Sequence, residues 1–198
     1  MTSTLKAIAE ETALIAVRAD KNMVNSKTSK MLSEEHKYIL KVISAIKNEE
    51  KNMEAGKINV TFLKQAIEFI RNYADKLHHA KEEDILFKEF EKNASCDSCN
   101  PVPQMLHEHE IGREYVRNLE QGINEKNPKK IIENALGYCR LLEEHISKED
   151  SVLYPMTDET IDKKKLEEMH KKFMQIDKSR MAEKTKYEKF AKQAEKRN

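Results

Sequence analysis

Apolar residues recur at steps of three and four along most of this chain, the spacing that lines one face of a helix. Four segments keep that period. The first runs from about Leu32 to Ala55, with Leu32, His36, Ile39, Ile43 and Ile46 on one stripe. Ser33 is positioned to cap its start and Gly56 to end it. The second runs from about Val60 to Phe90, along Leu63, Ile67, Ile70, Ala74, His78, Glu82 and Ile85. The third opens after Pro101-Val102-Pro103 and follows His109, Gly112, Val116, Leu119 and Ile123. The fourth starts at Asn127-Pro128, a cap followed by proline at the first helical position. Its stripe is Ile131, Ala135, Tyr138, Leu142, His145, Glu149 and Val152. Short links between long amphipathic helices favour antiparallel neighbours, so the expected fold is all-α, an up-down-up-down four-helix bundle over residues 31–156. Residues 1–30 read as a helical segment (about Thr4 to Arg18) and a polar linker reaching Lys30. Residues 157–198 read as a helical tail: Leu166, Met169, Phe173 and Ile176 keep the period, and Tyr187, Phe190 and Ala194 resume it. That tail is expected to dock on the bundle, on a second copy in a homodimer, or on another partner.

Composition narrows the function classes. Four Gly, four Pro and 36% charged residues suit long helices with solvated faces. Trp is absent and the formal net charge is +1, so neither base stacking nor a strong pull toward nucleic acid or anionic membrane is expected. The charge is uneven: residues 161–198 hold 13 Lys/Arg and 7 Asp/Glu, net +6, which leaves −5 for residues 1–160. No apolar run approaches the roughly 20 residues of a membrane span. The early run Ala13 to Val17 is too short for a signal peptide and follows Glu10-Glu11. Three Cys do not form a secreted disulfide framework, so a reducing, cytoplasmic setting is expected.

The chemistry lies in polar residues on the apolar stripes. Each of the four helices places one His there: His36, His78, His109 and His145. Two add a Glu one turn later, Glu82 and Glu149, within gapless matching stretches, HHAKEEDILF (His78 to Phe87) and HISKEDSVLY (His145 to Tyr154). Residues four apart on a helix are neighbours. Six polar groups aimed at one bundle axis are costly unless they are paired or bind metal. Four imidazoles and two carboxylates suit iron, manganese or zinc, and two bridging carboxylates would make the site dinuclear.

The order His, His-x-x-x-Glu, His, His-x-x-x-Glu over four helices resembles the hemerythrin-like HHE cation-binding domain. The matching pieces are Glu35-His36, His78 to Glu83 with Leu86-Phe87, Glu108 to Arg113, and His145 to Pro155. The resemblance implies a non-haem di-iron centre with His36, His78, Glu82, His109, His145 and Glu149 as ligands and the two glutamates bridging. It implies binding of, or reaction with, a small oxidant: oxygen, peroxide or nitric oxide. A metal-dependent sensor, or an iron store or structural metal bundle, stands as the alternative. Oxygen-carrying hemerythrins have a fifth His one turn before the third-helix ligand, and here that position is Met105. An open place is therefore expected on the ion held by His109, unless another side chain such as Tyr38, Tyr115 or Tyr138 closes it.

His79 also has an acid four residues on, Glu83. The alignment with His145/Glu149 favours His78/Glu82, which leaves His79 and Glu83 about 100° round the helix, at its flank and at most supporting the ligands. Cys96-Asp97-Ser98-Cys99 reads as two loop thiols, with a redox pair or half a zinc site as lesser readings. His170, in the tail, reads as a surface residue.

Overall fold

The structure is a computed structural model that describes residues 26–93 and 100–197. The segment around Thr4 to Arg18 and the Cys96/Cys99 pair lie outside the described residues. Among those described, every regular element is helical.

The first helix (Lys27–Asn48) starts earlier than its stripe predicts. Ser26, not Ser33, is the cap: its side chain accepts from the Ser29 amide. The reason comes from far along the chain. The Ser26 amide and the Ser29 hydroxyl both donate to Asp158, at 2.9 and 2.7 Å, and Thr28 donates to the Leu166 carbonyl. Residues 26–30 therefore belong to the bundle rather than to a linker. A short helix, Glu50–Glu54, continues the first before Gly56 turns the chain with φ 75°.

The second helix runs through Val60–Phe69, a π-helical stretch Ile70–His79, a second π-helical stretch Glu82–Leu86, and Phe87–Asn93. The third is Val102–Asn124. The fourth starts as the sequence predicts, with the Asn127 side chain accepting from the Lys130 amide and Pro128 in the first turn. It passes through Pro128–Lys148, a π-helical Glu149–Leu153 and Tyr154–Thr160.

The π stretches after Glu82 and Glu149 fall at matching places in the two repeated sequence segments. In each, the amide five residues on closes onto the glutamate's own carbonyl: Phe87 onto Glu82 and Tyr154 onto Glu149. Such a turn takes up one extra residue. It corrects two stripe positions. Ile85 is half-buried and Val152 is 47% exposed, while Leu86 and Leu153 are sealed.

Two apolar clusters result. The larger includes Ile39, Ile43, Phe62, Phe69, Val116 and Leu142; the smaller includes Leu32, Leu86, Phe87, Met105, Leu153 and Tyr154. The histidines on all four stripes lie between them, so apolar packing holds a polar layer from both sides. The fifth helix (Lys163–Ser179) and sixth helix (Met181–Glu195) form the tail, and both pack on the first helix of the same chain. Leu166, Met169 and Phe173 extend the smaller cluster; Tyr187, Ala191 and Ala194 extend the larger.

Candidate metal centre

All six residues expected from the sequence meet in the middle layer, each at most 2% exposed. One ring or carboxylate atom from each of His36, His78, Glu82 and Glu149 lies within 4.8 Å of the others, which defines a first position. A second group at the same spacing is His79, His109 and His145.

The two glutamates span both positions. Glu149 faces His36 Nε2 at 3.2 Å with one oxygen and His145 Nε2 at 3.3 Å with the other. Glu82 Oε2 lies 3.5 Å from His78 Nε2 and 3.7 Å from His109 Nε2. Both Glu149 oxygens, Glu82 Oε2 and His78 Nε2 are buried without an aligned hydrogen bond. Unsatisfied buried polar atoms are rare because each costs about 1–3 kcal/mol. Their convergence here is what a cation would relieve. His109 Nε2 and His145 Nε2 stand 3.0 Å apart. That is about the separation of two adjacent ligands at right angles, each roughly 2.1 Å from one ion.

Each ring has its other nitrogen fixed by an acid from a neighbouring helix. Glu35 of the first helix bonds His78 Nδ1 at 3.0 Å, and Glu83 of the second bonds His109 Nδ1 at 2.7 Å. Glu108 of the third bonds His145 Nδ1 at 2.9 Å, and Asp150 of the fourth bonds His36 Nδ1 at 3.1 Å. The four contacts close a ring round the bundle, first to second to third to fourth to first. Such carboxylate–histidine contacts select the tautomer that leaves Nε2 free. Sequence reasoning missed this set apart from Glu83. The available signal is adjacency: Glu35-His36, Glu82-Glu83, Glu108-His109 and Glu149-Asp150 each put an acid beside a candidate ligand.

Beyond the acids lie cations for three of them and a hydroxyl for the fourth. Arg113 holds Glu83 at 2.6 Å, Lys148 pairs with Glu108, and Ser33 donates to Asp150 at 2.6 Å. Glu35 takes Lys81 at 2.5 Å and, from the sixth helix, Lys184 at 2.7 Å. Both lysines pair with Asp177 of the fifth helix. The tail is thus joined to His78 through one carboxylate.

The family model of the hemerythrin HHE cation-binding domain matches residues 27–157. The chain belongs to this family. Comparison with curated proteins and with solved structures returns no match. The HHE match contains the whole middle layer, its ring of acids and all three π-helical stretches.

The electrostatics of this HHE layer follow from burial and neighbours. Burial and the charge of Glu149 push Glu82 well above the usual carboxylate range. Burial works against Glu149 too, but His145 and His36 hold it well below. His145 is raised to about 9: burial opposes, and Glu149 and Glu108 prevail. His36 is raised against its burial by Asp150 and Glu149. Burial takes His78 down to about 4 despite Glu35, with His36 adding to the fall. Burial also lowers His109. Neighbours and burial thus pull in opposite directions within one layer: Glu82, His36 and His145 shift toward their protonated forms, and Glu149, His78 and His109 toward their unprotonated ones.

Two expectations are corrected. His79 is not at the flank. It is 6% exposed, and its ring stacks on His109 with centroids 3.8 Å apart. His170 is not a surface residue but half-buried, with Nδ1 enclosed and without a hydrogen bond. A tyrosine not singled out in the sequence, Tyr154, lies at the first position, donating to Glu82 Oε1 at 2.6 Å and lying 3.3 Å from His36 Nε2. Met105 sits in the smaller apolar cluster, 2% exposed. A cavity of about 190 Å³ runs between the second and third helices from Arg71 and Arg117 to His79 and His109, with Gly112 and Tyr138 in its wall.

Proposed function

We propose that this HHE protein holds two non-haem iron ions and uses them to bind or react with a small oxidant: oxygen, peroxide or nitric oxide. One observation carries the reading. Glu82 and Glu149 each face imidazoles of both positions while keeping oxygen lone pairs unsatisfied. His36 and His78 would hold one ion, His109 and His145 the other, with the glutamates shared. A mixed nitrogen and oxygen set suits iron, and manganese or zinc are accommodated by the same donors. Bound iron supplies a Lewis acid and a redox couple at an open coordination place.

The chain's own groups orient and insulate. The acid ring fixes each Nδ1 proton and turns Nε2 inward. The two apolar clusters exclude water from the layer, which strengthens every charge interaction inside it. Tyr154 keeps a hydroxyl proton on Glu82, available at the edge of the first position. The cavity of about 190 Å³ beside His109 would serve as a path for such a small molecule toward the second position.

A second reading is a sensor in which the metal state is relayed to the tail. The Lys184–Glu35–His78 contacts favour it, because they put a tail lysine one carboxylate away from a candidate ligand. The test of the main reading is to purify the protein without oxygen, count metals per chain, and follow the visible spectrum on adding air, peroxide and nitric oxide. Two irons per chain and a rapid spectral change with one of the three are expected. Iron bound without any response would leave storage or a structural metal as the function.

A further inference from the structure

His79 belongs to neither the predicted ligand set nor the ring of acids, and its surroundings do not account for it as packing. It is a buried imidazole on the wall of a cavity. Its Nδ1 is enclosed and has no hydrogen bond, since the nearest acid, Asp75, is 3.6 Å away. The four other rings of the layer each have that nitrogen satisfied by a carboxylate. The ring is stacked on His109 with an interplanar angle of 11°, and it meets His145 edge-on at 6.1 Å between centroids. One nitrogen from each of the three falls within a 4.8 Å group.

The repeat sharpens the point. His79 aligns with Ile146 in the second copy, and Ile146 is buried in the larger apolar cluster. An aliphatic side chain thus meets the packing need at the equivalent place. What His79 adds is a nitrogen, and the π-helical winding of Ile70–His79 brings it inside along with His78.

We propose that His79 is a fifth imidazole of the centre, the third on the ion shared by His109 and His145. It would take the place that Met105 leaves open, supplied from the second helix instead of the third. The ion at the first position would have two imidazoles, so the two ions would be chemically unequal. This inference rests on the dinuclear reading above.

The test uses the full chain, loaded with ferrous iron without oxygen, as wild type, His79→Ala and His79→Phe. Metal titration and X-ray absorption at the iron edge are the readouts. His79→Phe keeps an aromatic ring on His109 but has no nitrogen, and circular dichroism checks folding. Wild type should take two irons. Both variants should keep the first iron at wild-type affinity and bind the second at least about tenfold more weakly. The imidazole count per iron should fall, and free imidazole should restore the second iron to His79→Ala. A His79→Phe protein with two irons at wild-type affinity and an unchanged imidazole count overturns the assignment and leaves the dinuclear reading intact. A wild type that binds fewer than two irons overturns both.

Discussion

The two positions of the centre are built from the same parts and end up different. Each draws an imidazole from an odd helix and one from an even helix, and Glu82 and Glu149 each face imidazoles of both. The acids behind them follow one scheme: before the histidine on the first and third helices, after the glutamate on the second and fourth. The divergence lies outside that scheme. Behind the first position are Lys81, Lys184 and Asp177, which tie it to the tail. Beside the second are His79 and a cavity. A near-symmetric scaffold thus presents two unequal groups of candidate ligands through what packs against each end.

Removing a shared glutamate tests the common part and should have the largest effect. Glu149→Ala or Glu82→Ala should lose more than one metal equivalent per chain, and the double variant should lose both, as metal analysis would record. Loss of a single equivalent on each substitution would mean that neither glutamate bridges.

Acidity separates the empty layer from the filled one. In the metal-free protein His145 is raised to about 9, above its ordinary value of about 6.5. Its contribution to stability is therefore complete below about pH 6.5 and is lost as pH rises through about 9. Metal needs the same rings and carboxylates unprotonated, so its stabilisation grows over that interval. Thermal melts should fall with pH for the metal-free protein and fall less, or rise, for the loaded one. Parallel curves would count against protons and metal sharing these atoms.

The acids behind the two positions should differ in their reach. Glu35→Ala and Glu108→Ala should each weaken one ion by about 10–100-fold, the usual cost of losing a partner behind a ligand. Only Glu35→Ala should also speed hydrogen exchange in the fifth and sixth helices. Equal exchange in the two variants would remove the link between centre and tail. Gly112→Leu should fill the cavity and slow the reaction with peroxide several-fold while both metals stay bound. The smallest effect on the centre is expected from Met105→His. With His79 beside His109, a new imidazole should alter oxidation little, and its main effect should be a lower melting temperature from burial in an apolar cluster. Marked slowing of oxidation on stopped-flow would instead favour an open place at that ion.

Much of this was legible in the sequence, and the gaps have physical causes. The four stripes placed six polar residues in one layer, and steps of four held even through the π-helical Ile70–His79, where Ile70, Ala74 and His78 are all buried. At Ile85-Leu86-Phe87 and Val152-Leu153-Tyr154 three apolar residues in a row accept either register. Nothing local reveals that an extra residue is taken up, and the same winding hides His79. The Ser26 cap was out of reach because Asp158, which fixes it, lies 132 positions away. The ring of acids was written beside the ligands, but an acid next to a histidine signals nothing until a neighbouring helix presents the ring it must hold.

That ring also bears on how the protein assembles. No helix supports its own histidine: each imidazole is steadied by the helix before it, and the first waits for the last. A partly folded chain would therefore have at least one unsupported ring, whichever helix was missing. As a ribosome releases the chain, the first helix stays without its Asp150 contact until the fourth emerges, so the centre should mature as a late, single event.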